Sequence, residues 1–248
     1  MSELVHLTIT DAVATVTLDS ERNRNALSRQ LVAELGAHLA TADADPTVRA
    51  ILVRSAGTVF CSGADLSEAS DGGMVEGARA LIALQRQIAA GDTPVVVELA
   101  GPVRAGGLGI VGAADVVVAA ESVTFQLTEV RLGLAPAVIS VSLLPRFTDR
   151  AAADLFLTAR RFDATEAVAV GLVTRAVPDE DLSAAVTGVL ADLVAGHPQG
   201  LRETKRLLNH DLVARIDALG DDLADLSGRL FGSDGAREAM AAFLAREK

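Results

Sequence analysis

The 248-residue chain has no tryptophan, no tyrosine and a single cysteine. Cys61 on its own cannot form an intramolecular disulfide. With aromatics at 3 %, aliphatic side chains and alanine must fill the core, and the chain is poorly equipped to stack on nucleic-acid bases. Positive charge is short as well: 22 Lys and Arg face 33 Asp and Glu, a formal charge of −11. That balance argues against generic nucleic-acid binding, which needs a basic surface, but leaves room for a small phosphorylated ligand held by a local cluster of Arg or Lys. The four histidines, His6, His38, His197 and His210, are scattered without metal-ligand spacing, so no metal is expected. No apolar run reaches the roughly 18–20 residues that span a bilayer. The stretch MSELVHLTIT lacks the basic-then-apolar order of a secretory signal. The expectation is a soluble, cytoplasmic protein that binds neither nucleic acid nor membrane. Neither G-x-S-x-G nor a Walker A pattern occurs, and Gly106-Gly107-Leu108-Gly109 has the wrong spacing for a dinucleotide fingerprint.

What is present is a large apolar fraction, 50 % of residues, enough for a sizeable core. Val5–Thr10 and Ala12–Leu18 alternate around a turn at Asp11 and predict an antiparallel pair. Ser28 can cap a helix over Arg29–Ala42 with Leu31, Leu35 and Leu39 on one face. Ala50–Arg54, Pro94–Ala100 and Val116–Ala119 read as buried strands, and Met74–Ala90 and Leu108–Ala114 as helices. Beyond about residue 140 the pattern turns nearly all helical. Asp163-Ala-Thr-Glu166 resembles a capping box, and helices are expected near 180–195, 198–213, 215–230 and Ala236–Arg246. The pattern implies an α/β fold with a helical C-terminal region.

Two glycine turns follow apolar strands: Cys61-Ser62-Gly63-Ala64-Asp65 and Ala105-Gly106-Gly107. Each can aim a backbone N–H into a shared cleft, and two such donors are the minimum for holding an oxygen that turns negative during a reaction. They also read as two ordinary strand–helix turns in which glycine relieves backbone strain. Glu129 lies in a mostly apolar context, where desolvation raises a carboxyl pKa towards the range useful for acid–base work. The alternative is a pairing with Arg131 or another cation. Arg22, Arg24, Arg54 and Arg246 are candidate phosphate contacts or plain surface charge.

Taken together, Arg24–Ser28, Phe60–Leu66, Ala100–Asp115, Phe125–Pro136, Leu157–Thr174 and Ala239–Arg246 resemble the crotonase superfamily, the enoyl-CoA hydratase/isomerase family. The resemblance covers essentially the whole chain. It implies a spiral of ββα turns over residues 1–190 and a C-terminal helical region, 191–248, that assembles a homotrimer or a dimer of trimers. It implies an acyl-CoA ligand and no cofactor beyond the coenzyme A of the substrate. The N–H groups of Ala64 and Gly106 would hold the thioester oxygen, and Glu129 falls on one of the family's two catalytic glutamates. Arg24, Ala26, Ser62, Gly63, Asp65, Leu66, Gly107, Gly109 and Pro136 would line the substrate site. Phe243 and Arg246 would contact the nucleotide end, with help from Arg22 or Arg24.

The chain departs from the family at the other glutamate, where it has Gly109, and in Ala135–Ser140, which replaces a glycine-rich segment. Both departures resemble a bacterial subgroup linked to hydration of branched, carboxylated enoyl-CoAs such as methylglutaconyl-CoA. There a substrate carboxylate, for which Arg104 is a candidate partner, or another residue such as Gln126 or Ser140 would supply the missing function. Hydration of an enoyl-CoA thioester is the first expectation. A Δ3,Δ2-enoyl-CoA isomerase, which needs Glu129 alone, is the second, and a non-catalytic acyl-CoA-binding protein the third.

Overall fold

The alternating N-terminal residues form a hairpin, β1 (Val5–Thr10) against β2 (Val13–Leu18), with Thr10 opposite Val13. Its turn residues Asp11 and Ala12 have φ of 49° and 64°, the left-handed geometry that a two-residue hairpin loop needs. The structure is a computed structural model that describes residues 2–68 and 73–246, with side chains as far as residue 242. From β2 onward the sheet is parallel: β3 (Ala50–Ser55), β4 (Val95–Leu99), β6 (Val116–Ala120) and β9 (Arg175–Val177) follow in spatial order. Parallel pairing demands crossovers, and α1 (Arg29–Ala44), α2 (Gly73–Ala90) and α3 (Gly107–Ala113) lie in them. Ser28 Oγ caps α1 by accepting from Leu31 N at 3.2 Å. The strands read as Val- and Leu-rich runs because helices cover them, and this shared interior is the main core.

A second, three-stranded sheet joins β5 (Val103–Arg104), β7 (Thr124–Gln126) and β8 (Phe162–Asp163). Strands β5 and β7 run parallel, and the Phe125 and Phe162 rings stack at 5.3 Å between β7 and β8. Parallel pairing brings the C-terminal ends of β5 and β7 together. Ala105 N donates to Gln126 O at 2.9 Å across that end. The chain leaves β5 into Ala105–Gly107 and leaves β7 towards Glu129, so two distant sequence segments emerge side by side.

The remaining chain is α4 (Ala137–Leu143), α5 (Asp149–Thr158), α6 (Ala164–Ala169), α7 (Leu182–Ala195), α8 (Pro198–Phe231) and α9 (Asp234–Arg246). Helix α8 corrects the expectation of separate helices at 198–213 and 215–230. Its buried residues Lys205, Asn209, Leu212, Ile216, Gly220, Ala224 and Ser227 form one unbroken stripe at helical spacing, with no Gly or Pro at the supposed break. It packs along α2 and α4. Lys205 Nζ fastens it by donating to Ile88 O and Thr93 O at 2.8 Å and pairing with Asp115 Oδ2 at 2.9 Å. The capping box at α6 forms only in half: Asp163 Oδ1 accepts from Glu166 N at 2.8 Å, while the Glu166 carboxylate turns to Arg160. Among the described residues no helix is long and apolar enough to cross a membrane.

Candidate active site

The two glycine turns meet. Phe60 N donates to Pro102 O at 3.1 Å and Arg104 N to Cys61 O at 2.9 Å, which zips the segment after β3 onto the segment before α3. Close approach explains the glycines. A Cβ on Gly63, whose φ is +102°, would stand 3.0 Å from Ala105 Cβ, and one on Gly107 would stand 2.6 Å from Cys61 Cβ. Burial pushes the Cys61 thiol up to about 12, so it acts as packing rather than as a nucleophile. A Cβ on Gly106 would lie 3.9 Å from Ala64 N, so the two turns that carry the predicted donors lie side by side. Among the described residues neither N–H donates to another group. Two preorganised amides without internal partners are what a developing oxyanion requires.

The first loop holds this turn in place. Buried Asn25 accepts from Ser20 N at 2.7 Å and donates to Val59 O at 2.9 Å. Ser62 N donates to Arg24 O at 3.1 Å, Ser62 Oγ to Asn23 O at 3.0 Å and Leu27 N to Gly63 O at 2.8 Å. Asp65 accepts from Asn23 Nδ2 at 3.1 Å and from Ser67; burial works against its charge, but these donors and Arg22 prevail and lower its pKa. Ala26 is buried in this seam, and Leu66 is half-buried at the start of the next 3-10 turn. Arg22 and Arg24 remain exposed at its rim.

Glu129 opens a 3-10 turn, Glu129–Leu132, that Gly133 ends with φ +70°. A Cβ on Gly133 would meet Gly235 O at 2.9 Å, so the start of α9 lies directly on this turn. The residue as a whole is half-buried, but its Oε2 is fully buried and accepts no hydrogen bond from Arg131 or any other described residue. Burial pushes the carboxyl up to about 7, against a smaller opposing effect of the Glu129 and Thr128 backbone N–H groups. A carboxyl poised near neutrality, with one oxygen left unpaired among the described residues, is suited to carrying a proton both ways.

The Gly109 side of the site is closed. Gly109 N donates to Gly106 O at 3.0 Å, so it lies one helical turn beyond the oxyanion amide. A Cβ there would stand 2.9 Å from Ile139 Cγ2 and 3.1 Å from Gln85 Cδ. Gln85 is fully buried; its Nε2 donates to Val138 O at 3.1 Å and Leu81 O at 3.2 Å, and its Oε1 accepts from Ser142 Oγ at 2.6 Å. Gln126 and Ser140, the compensating residues considered from sequence, are engaged elsewhere: Gln126 Nε2 donates to Ala159 O at 2.7 Å and Ser140 Oγ to Ala137 O at 2.6 Å. Sequence reasoning missed Gln85 and Ser142. The available signal was an amide on the apolar stripe Ala78, Leu81, Ile88 of α2.

Other candidates fall as follows. Pro136 is buried at the N-terminus of α4. Arg104 turns back along β7 and donates to Val103 O and Thr124 Oγ1, both at 2.9 Å. Arg54 reaches across the sheet to Thr17 Oγ1 at 3.4 Å. Phe243 and Arg246 lie in α9, and their side chains are outside the described residues.

The enoyl-CoA hydratase/isomerase family model matches residues 8–248. An enoyl-CoA hydratase from Mycobacterium avium, a solved structure, superposes with a TM-score of 0.93 at 44 % identity over 99 % of this chain and 98 % of that one. The 1,2-epoxyphenylacetyl-CoA isomerase of Escherichia coli is 30 % identical over 99 % of this chain and 97 % of its own length. The short-chain-enoyl-CoA hydratase of Clostridium acetobutylicum is 27 % identical over 95 % and 92 % respectively. With a family model over nearly the whole length and relatives matched end to end, the chain belongs to the enoyl-CoA hydratase/isomerase family, within the crotonase superfamily.

Proposed function

We propose that this enzyme acts on an acyl-CoA thioester through an enolate, with the Ala64 and Gly106 N–H groups on the thioester oxygen and Glu129 as the single proton carrier. The observation that carries the reading is the buried Oε2 of Glu129, without a partner among the described residues, in a carboxyl pushed up to about 7. Polarising the thioester acidifies its α-carbon. In double-bond migration the Glu129 carboxylate takes a proton from the α-carbon of a 3-enoyl thioester, and the electron pair moves onto the oxygen. The Glu129 acid then returns the proton to the γ-carbon, which leaves the conjugated 2-enoyl product. Beside the two amides this reaction needs only one proton-carrying carboxyl, and the filled space beside Gly109 favours it. Hydration is the second reading, favoured by relatives named as hydratases. There Glu129 takes a proton from water as its oxygen bonds to the β-carbon and passes that proton to the α-carbon. Neither reaction consumes a cofactor.

Exposed Arg22 and Arg24 would meet the phosphates of coenzyme A, and binding energy from that remote end would position the acyl group. We place the working form as a homotrimer or a dimer of trimers. Leu207 and Leu208 on α8, 80 % and 75 % exposed in the single chain, support an assembly surface there. Sedimentation gives its size.

The test is an absorbance assay with 3-methylglutaconyl-CoA, crotonyl-CoA and a 3-enoyl-CoA side by side, on the wild type and Glu129→Gln. Gain of conjugated absorbance from the 3-enoyl substrate marks the isomerase, and its loss from either conjugated thioester marks the hydratase. Both should vanish in Glu129→Gln while coenzyme A binding stays near normal. Silence of the wild type on all three, with thermal stabilisation by acyl-CoA, would leave a binding protein.

A further inference from the structure

Helices α2 and α3 face one another along the site, turn for turn. Leu81 of α2 meets the Gly106 position, where a Cβ would be 3.3 Å from Leu81 Cδ2, and Gln85, one turn on, meets Gly109. A side chain at 109 would therefore stand on the same flank as the oxyanion amide, one turn away. Two features deny it room. Helix α4 presses on α3 at Gly109 and again one turn on at Gly112, where a Cβ would be 2.8 Å from Leu143 Cδ2 and 2.9 Å from Ser142 Oγ. The atom over Gly109 is Ile139 Cγ2, a branch on a stiff helical side chain with one strongly preferred rotamer, so it cannot swing aside cheaply. Helix α4 is pinned by Gln85, which reaches from α2 to Val138 O and accepts from Ser142.

We infer that Gln85, Ser142 and Ile139 set the reaction class of this site: they lock α4 onto α3 so closely that position 109 carries no side chain, which limits the site to one proton-carrying carboxyl. The inference rests on the enolate reading above. In this view Gly109 is not a lost catalytic residue beside an open space. It is one half of a helix contact whose other half is Ile139, and both must change before a second carboxylate can stand there.

A double-mutant cycle with Gly109→Ala and Ile139→Ala, read by thermal unfolding, tests the lock. With Ile139 in place, overpacking by Gly109→Ala should lower Tm by about 5 °C, and the same change in the Ile139→Ala background should lower it by less than half as much. Equal shifts in both backgrounds would overturn the lock. Gly109→Glu with Ile139→Ala then tests the reaction class. When folded, it should add water to crotonyl-CoA at least about 10-fold faster than the wild type, a gain in the range one positioned acid–base group supplies. A folded double variant without that gain overturns the assignment, as does Gly109→Glu alone hydrating at wild-type Tm. The alanine cycle decides the lock even where the glutamate variant does not fold. A wild type silent on every acyl-CoA substrate sinks the enolate reading and leaves the cycle intact.

Discussion

Two polar side chains with buried polar atoms flank the candidate site, and the fold treats them in opposite ways. Gln85 has partners on both ends of its amide, bridging α2 to α4. Glu129 keeps a buried oxygen that no described residue satisfies. Leaving such an atom unmade costs stability, whereas a satisfied buried amide costs little. The Gln85 side is built to stay still. The Glu129 side holds a group whose natural partner is a proton, which comes and goes during turnover.

The comparison breaks most visibly in catalysis. Glu129→Gln keeps the shape of the side chain and removes the titratable group, so turnover should fall by about 10²–10⁴-fold, the usual contribution of one acid–base group. Gln85→Leu should leave kcat within a few-fold of wild type. A Glu129→Gln enzyme with normal kcat would erase the distinction.

The second break is in stability against pH. The folded state holds the Glu129 carboxyl up to about 7, above its ordinary 4.5. A group raised on folding contributes stability that is full below 4.5 and is lost as pH rises through 7. The carboxylate therefore burdens the native state at pH 8 by about 3 kcal/mol. Glu129→Gln, freed of that burden, should gain on the wild type by up to about 3 kcal/mol between pH 4.5 and 8, measured by urea unfolding at a series of pH values. A difference that does not change with pH would mean the carboxyl is solvated. Gln85→Leu comes next. It strips partners from Val138 O and Ser142 Oγ in the interior and should cost about 2 kcal/mol at every pH, with no such trend.

How legible each side was in the sequence follows from the range of the forces involved. The N-terminal hairpin, the Ser28 cap and helices α1 to α3 are written in local alternation, capping and spacing, and the structure reproduces them within a residue or two. The Ala64 and Gly106 turns were visible as glycines after strands, but their meeting depends on the Cys61–Val103 bridge between segments some 40 residues apart. Strand β7, only three residues long, and helix α4 escaped the pattern because they are short and held by neighbours rather than by periodicity. The apolar setting of Glu129 was readable; the filled space over Gly109 was not, since it is made by Gln85 and Ile139 from two other helices. Likewise Gly220 and Gly228 are poor helix formers on propensity alone, yet they are where α8 settles onto Ile82 and Val75 of α2.

The smallest expected effect is the most discriminating for the Gln85 side. Ser142→Ala removes one hydroxyl whose donor goes to Gln85 Oε1 at 2.6 Å and whose oxygen lies near the Gly109 backbone. The loss should be about 1 kcal/mol, because one amide oxygen is orphaned while the cavity left is no larger than an oxygen atom. Combined with Gln85→Leu the cost should fall below the sum of the two, since the apolar pair no longer strands Oε1. Strict additivity would mean that the two side chains stabilise α4 independently. The pair would then not act as one lock, and the rigid half of the comparison would rest on Ile139 packing alone.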